Sequence, residues 1–297
     1  MRHLLGIEGL GRADIEALLT RAEAHLQGGP EATHVLRGKV VANLFFEDST
    51  RTRTSFEMAA HALGAEVLNW TTAGSSVSKG ETLLDTVRNI EATGPVALII
   101  RHRSSGAPHL AARHVRCAVV NAGDGTHEHP SQALLDAFTL RRRWGGLEGR
   151  TVLIIGDIFH SRVARSNLHC LRALGARVVL CGPPTLLPPG LEELGAEVTW
   201  RLDDVLPQAD AVMCLRVQSE RQSESFFPSP REFSRLFGLN AARAERLKPG
   251  ALVLHPGPMN RGVEIAPAVA DGPHSVILEQ VAHGVAVRRA ILEEVCR

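Results

Sequence analysis

Short β-rich apolar runs alternate with helical patterns from one end of the chain to the other, and this alternation limits the fold more than any other feature. A strand, a helix and a second strand in succession build a parallel sheet with helices on its faces. Strands are expected at about 39–46, 65–69, 96–101 and 117–121, then at 150–155, 176–181, 196–200, 211–215 and 251–255. Between them lie amphipathic stretches such as Phe56, Ala59, Ala60 and Leu63, whose i, i+3, i+4, i+7 spacing gives one apolar face. Pro130 suits the first turn of a helix that runs towards Trp144 and ends at Gly145-Gly146. The expected architecture is therefore α/β: two doubly wound parallel-sheet domains joined by a connecting helix. The first spans residues 1–130 and the second residues 131–275, with a helix at about 276–297 that packs back on the first.

With 297 residues, each domain can bury its own core without disulfide or metal staples. Lys and Arg number 33 against 32 Asp and Glu, a formal charge of +1, so the basic footprint of a general nucleic-acid binder is missing. Nine Phe, three Trp and no Tyr leave few platforms for stacking bases. No apolar run approaches the ~20 residues of a membrane helix, and the first residues lack the sustained apolar centre of a signal peptide. A cytoplasmic location, with neither membrane nor nucleic acid as partner, is the expectation. Cys117, Cys170, Cys181, Cys214 and Cys296 are odd in number and never spaced C-x-x-C, which fits reduced, buried thiols.

Ligands of open parallel sheets sit beyond the carboxyl ends of the strands, so the polar residues there carry the functional signal. After the first strand comes Ser49-Thr50-Arg51-Thr52-Arg53-Thr54, then an amphipathic helix. Hydroxyls, guanidinium groups and free N–H donors meet at a helix N-terminus, which favours phosphate binding. The G-x-x-x-x-G-K spacing is missing, so nucleoside triphosphate chemistry is not implied. Arg101 ends the third strand. His127, Glu128 and His129-Pro130-Ser131-Gln132 follow the fourth, and with no third ligand at helical spacing the histidines read as hydrogen-bonding imidazoles, so no metal is expected. A polar loop at 71–80 carries Ser75, Ser76, Ser78 and Lys79. In the second half, Arg162 lies just beyond Ile155-Gly156-Asp157, a strand-to-helix corner without the G-x-G-x-x-G of a dinucleotide site. Arg216-Val217-Gln218 opens a long polar loop of the kind that forms lids, and His255-Pro256-Gly257-Pro258 ends the last strand.

Taken in this order, the motifs resemble the carbamoyltransferases along the whole chain, and S-T-R-T followed by H-P-S-Q is specific to that family. Two segments are similar to the aspartate branch. Pro256 stands in H-P-G-P where the ornithine enzymes carry a cysteine in H-C-L-P, and Arg216-Val217-Gln218 replaces their S-M-G-type segment. The resemblance implies transfer of the carbamoyl group of carbamoyl phosphate to the amine of L-aspartate, giving N-carbamoyl-L-aspartate and phosphate for pyrimidine biosynthesis, with no cofactor. It implies that Ser49, Thr50, Arg51, Thr52 and Arg101 hold the phosphate. Ser75 and Lys79 would reach it from a neighbouring subunit of a homotrimer, the assigned serine being open among Ser75, Ser76 and Ser78. Thr52, Arg101 and His129 would polarise the carbamoyl oxygen. Gln132 and the carbonyls of Pro256 and Gly257 would accept from its NH2, and Arg162, Arg216 and Gln218, with Lys79, would hold aspartate. The resemblance leaves room for a regulatory or dihydroorotase partner chain. Gly257 departs from family members with a larger residue there.

Overall fold

A computed structural model describes residues 1–28, 34–72, 80–217 and 229–297. The chain divides into two compact units, Met1–Phe138 with Ala282–Arg297, and Thr139–Val281. Each unit is one parallel sheet with helices packed on it.

The first sheet has the order β2-β1-β3-β4, formed by β1 (Val40–Phe45), β2 (Glu66–Thr71), β3 (Ala97–His102) and β4 (Ala118–Asp124). Val41, Ala42, Leu44, Leu98, Ile99 and Ile100 are almost wholly buried because the inner strands are covered on both faces. β2 pairs only with β1, and its exposed or half-buried residues mark it as the edge. Pairing of β3 with β4 shifts register between Ile100 and His102, at Arg101, a local irregularity of the type that re-aims a side chain. One core packs Ala42, Leu44, Val87, Leu98, Ile100, Ala111, Val115 and Val119 against neighbouring helices. Helix α1 (Arg12–Leu26) comes before β1, α2 (Thr50–Ala62) after it, α3 (Leu83–Glu91) after β2 and α4 (Ala107–Ala112) after β3.

The second sheet has the order β7-β6-β5-β8-β9, from β5 (Thr151–Ile155), β6 (Arg177–Cys181), β7 (Glu197–Thr199), β8 (Ala211–Cys214) and β9 (Leu252–Leu254). Leu153, Ile155, Val179, Val212, Cys214 and Val253 form its core with Phe233 and Phe237. Helix α6 (Arg162–Ala173) follows β5.

Two helices run from one unit into the other. The division falls inside α5 (Pro130–Trp144), between Phe138 and Thr139, and again inside the last helix, Ile277–Val295, between Val281 and Ala282. Within the first unit the end of that last helix is fastened by charge: Glu294 pairs with the Met1 ammonium at 2.8 Å and with Arg21, and Glu293 accepts from His25 Nε2 at 2.9 Å. His283 meets the Phe138 ring edge-on at 5.2 Å.

All five cysteines are free; Cys170, Cys181 and Cys214 are buried, while Cys117 and Cys296 are only half-buried, so the expectation of buried thiols holds for three. Burial pushes the Cys117 thiol up to about 12, which keeps it protonated and unreactive at neutral pH. Among the described residues no helix is long and apolar enough to cross a membrane.

Candidate active site

In the first unit the sequence motifs fall at the carboxyl ends of three adjacent strands: Ser49–Thr52 after β1, Arg101 at the end of β3, and His129 and Gln132 after β4. Ser49 is the N-cap of α2, with extended backbone at φ −163°, yet its hydroxyl makes no capping bond and no acidic residue lies in the first turn. The positive dipole end of a thirteen-residue helix is thus offset by neither a capping side chain nor an acid, an arrangement that suits an anion. Thr52 is buried, whereas Thr50 and Arg51 are exposed.

Arg101 is held from two sides, with Nη1 donating to the Ala122 carbonyl at 3.4 Å and Nη2 lying 3.5 Å from Glu47 Oε1. The Glu47 carboxylate follows β1 directly, and the Phe46 amide donates to the Arg101 carbonyl at 2.9 Å, tying the two strand ends together.

His129 and Gln132 are both buried, and they open α5 after a turn that is fixed by side chains. Asn121 Nδ2 donates to Asp124 Oδ1 at 2.7 Å, the Gly123 amide to Asn121 Oδ1 at 2.8 Å, and the Glu128 amide to Asp124 Oδ1 at 3.1 Å. Gln132 Nε2 donates to buried Asp136 Oδ1 at 2.8 Å, so its Oε1 is left as the acceptor. Asp136 is also the electrostatic partner of Arg288, a fully buried guanidinium whose pKa burial pushes down to about 10 although the Asp136 charge opposes the shift. Arg288 donates to Ser55 Oγ at 2.9 Å and stacks over the Phe56 ring at 5.1 Å. A residue of the last helix thus braces both α2 and the acceptor orientation of Gln132.

In the second unit Arg162, Arg216 and the Pro256-Gly257 pair follow β5, β8 and β9, which are again adjacent strands. Arg162 is almost wholly buried at the first position of α6, where Ser161 caps by accepting from the Ala164 amide at 3.1 Å. The preceding turn is pinned by Asp157, which accepts from the His160 amide at 3.0 Å and lies at the same distance from His160 Nδ1. Arg216 is half-buried and Val217 buried, the Val217 carbonyl accepting from Asn260 Nδ2 at 3.2 Å.

At β9 the Gly257 amide donates to His255 Nδ1 at 2.8 Å, which makes Nδ1 the acceptor and places the ring proton on Nε2, facing Glu264 Oε1 at 3.1 Å. The Asn260 amide reaches the same Glu264 oxygen at 2.5 Å, and the His255 amide donates to Gln280 Oε1 at 3.0 Å. These bonds fix the Pro256-Gly257 backbone. Gly257 has φ +65°, a left-handed conformation that costs little without a Cβ.

Ser75, Lys79 and Gln218 lie outside the described residues, as do Ser76 and Ser78. Glu47, Asp136, Glu264, Gln280 and Arg288 were not singled out from the sequence. Asp136 sits at i+4 from Gln132 on a helix, a spacing that signals contact; Arg288 and Gln280 lie too far along the chain from their partners to carry any such signal.

Residues 2–142 match the family model described as "Aspartate/ornithine carbamoyltransferase, carbamoyl-P binding domain", and residues 148–295 match its "Asp/Orn binding domain". The chain belongs to the aspartate/ornithine carbamoyltransferase family. Within it, the chain is 80% identical to the aspartate carbamoyltransferase catalytic subunit of Myxococcus xanthus (strain DK1622) over 99% of both chains. The aspartate transcarbamoylase of Trypanosoma cruzi, in complex with carbamoyl aspartate and phosphate, is similar in structure with a TM-score of 0.90 and 33% identity, over 99% of this chain and 95% of that one. Ornithine carbamoyltransferase of Thermus thermophilus aligns with a TM-score of 0.87 and 28% identity, over 100% of this chain and 99% of that one. Backbone shape is therefore shared by both branches of the carbamoyltransferase family, and the choice between aspartate and ornithine rests on residues.

Proposed function

We propose that the chain is an aspartate carbamoyltransferase, which joins carbamoyl phosphate and L-aspartate into N-carbamoyl-L-aspartate and releases phosphate. The observation that carries this reading is the α2 N-terminus: a long helix opening with an uncapped Ser49 hydroxyl, no acid, and Arg51 and Thr52 in its first turn. The 80% identity with the Myxococcus catalytic subunit supports aspartate as the acceptor.

In this reading Ser49, Thr50, Arg51, Thr52 and Arg101 hold the phosphate. Thr52, Arg101 and His129 donate to the carbamoyl oxygen as it gains negative charge, and each such donor is worth about 2.7–4 kcal/mol. Gln132 Oε1, left as the acceptor by the Nε2 bond to Asp136, accepts from the carbamoyl NH2 together with the Pro256 and Gly257 carbonyls. Arg162, Arg216 and Gln218 hold the aspartate carboxylates through bidentate pairing. The neutral amine attacks the carbonyl carbon, a C–N bond forms, and the tetrahedral intermediate breaks its C–O bond to phosphate. The departing phosphate accepts the amine proton.

The reading assigns carbamoyl phosphate to the first unit and aspartate to the second. It places the enzyme in the cytoplasm, which five free thiols suit. Supplied with carbamoyl phosphate and either L-aspartate or L-ornithine, the purified chain is expected to release phosphate and carbamoylaspartate in equal amounts with aspartate only. Citrulline as the main product would overturn the acceptor assignment.

The same reading makes the chain a homotrimer whose sites borrow Ser75 and Lys79 from the adjacent subunit, supported by the sequence resemblance and by the relative's description as a catalytic subunit. Arg51→Ala and Lys79→Ala chains, each nearly inactive, should regain roughly a quarter of wild-type activity after dissociation, equal mixing and reassociation. About three quarters of random trimers are mixed, and each mixed trimer contains one intact site in three. No recovery, with hybrids confirmed by mass, would place each site within one chain.

A further inference from the structure

We propose that the first unit carries a divalent-cation site of the zinc class, built from His109, Asp124 and His127 and separate from the residues assigned to the reaction. One ligand atom from each of the three lies within 4.8 Å of the others. The sequence shows His127 and Asp124 three residues apart and nothing at helical spacing to complete them; folding brings in His109 from α4, the helix before β4.

Three observations fit a bound cation. First, His127 Nδ1 stands 3.2 and 3.1 Å from the two Asp124 oxygens. That separation is close to the edge of a zinc tetrahedron, about 3.3 Å for ligands at ~2.0–2.1 Å. Second, His109 Nδ1 is buried and has no hydrogen-bond partner in the protein. The hydrogen bond between His127 and Asp124 leaves that nitrogen unsatisfied, at the cost attached to any buried polar atom without a partner. The two imidazole rings stand edge to face with centroids 5.4 Å apart. Third, Asp124 is wholly buried and already fixed by the Asn121 side chain at 2.7 Å and the Gly106 amide at 2.6 Å, the outer bonding that orients a ligating carboxylate.

Glu8 and Glu128 form a second group with His127, each with an oxygen within 4.8 Å of the other's and of a His127 nitrogen. Both Glu128 oxygens accept backbone amides, from Ile7 at 2.7 Å and Glu8 at 3.0 Å, and neither glutamate belongs to the His109, Asp124 and His127 set, which leaves the fourth position of a tetrahedron to a water molecule. Two imidazoles and one carboxylate select zinc over magnesium or calcium, which prefer all-oxygen shells. A bound cation would stiffen the 124–128 turn that leads into His129.

The test is equilibrium dialysis of the full chain against Zn2+, followed by Co2+ absorption. Wild type is expected to hold one Zn2+ per chain, with tetrahedral Co2+ bands and no thiolate-to-cobalt charge transfer. His109→Ala and His127→Gln, the latter keeping a donor for Asp124, should each weaken binding at least about tenfold, as loss of even an outer-shell partner does. Circular dichroism would confirm that both fold. Unchanged zinc binding in the two folded variants, thiolate charge transfer, or no retention of Zn2+ by wild type would each overturn the site.

Discussion

The two units solve the same problem with different degrees of fixation. In the first, the residues assigned to the carbamoyl group are tied into the packed body, while Thr50 and Arg51 are exposed: Thr52, His129 and Gln132 are buried, Arg101 lies between Glu47 and Ala122, and Gln132 donates to Asp136. The last helix adds Arg288, a buried charge brought from the far end of the chain. In the second, Arg162 is buried at a helix start, but Arg216 is half-buried just after β8. The difference suits the division of labour proposed above. Donors aimed at developing charge lose their value if they must reorganise, while a group that only recognises the acceptor can sit on a segment free to vary.

The largest expected effect lies in the fixed unit. Arg101→Ala or His129→Ala should lower kcat by about a hundredfold to a thousandfold, the usual loss for one oxyanion donor, and steady-state rates at saturating substrates would show it. Arg216→Ala should instead raise the KM for aspartate at least about tenfold, as expected for a lost charge-assisted pair, while the carbamoyl phosphate KM stays within about twofold. Equal damage to both constants would erase the contrast between the units.

A finer cut separates orientation from mere stability. Asp136→Ala removes the acceptor of Gln132 and should lower kcat several-fold, whereas Asp136→Asn keeps an oxygen there and should retain most of it. Both variants leave Arg288 without its opposite charge, so both should lose stability, by about 3–5 kcal/mol if the loss is like that of other broken buried pairs. A kcat that falls equally in the two would mean that Asp136 acts only through stability.

The smallest effect concerns how the first unit fastens the last helix. Burial, reinforced by the Arg289 charge, holds the His25 imidazole below its ordinary value of 6.5. The native state therefore binds fewer protons than the unfolded chain once pH falls below that value, and stability drops with acidification until the folded pKa is passed. Urea midpoints between neutral pH and pH 5 should fall less steeply in His25→Asn than in wild type.

Much of this contrast could be read in the residues beforehand, and the reasons differ by region. Inner strands of a parallel sheet are near-continuous apolar runs, so the runs at 96–101 and 211–215 show as β3 and β8 within a residue or so at each end. The chemistry-bearing motifs are contiguous and sit directly after those runs, so their place at strand ends was legible as well. What supports them was not. Arg288 beside Asp136 and Gln280 beside His255 are contacts between elements distant in the chain, and His109 meets Asp124 across the turn between consecutive elements, all set by how helices dock on the sheet. The division inside α5 is equally silent, because an unbroken helical period carries no mark where one packed body ends.

Calorimetric titration of carbamoyl phosphate, in the absence of aspartate, into the Arg51→Ala and Arg216→Ala chains tests the two-unit assignment most directly. Arg51→Ala should give no measurable heat of binding, and Arg216→Ala should bind with nearly wild-type affinity. Loss of binding in Arg216→Ala as complete as in Arg51→Ala would contradict it.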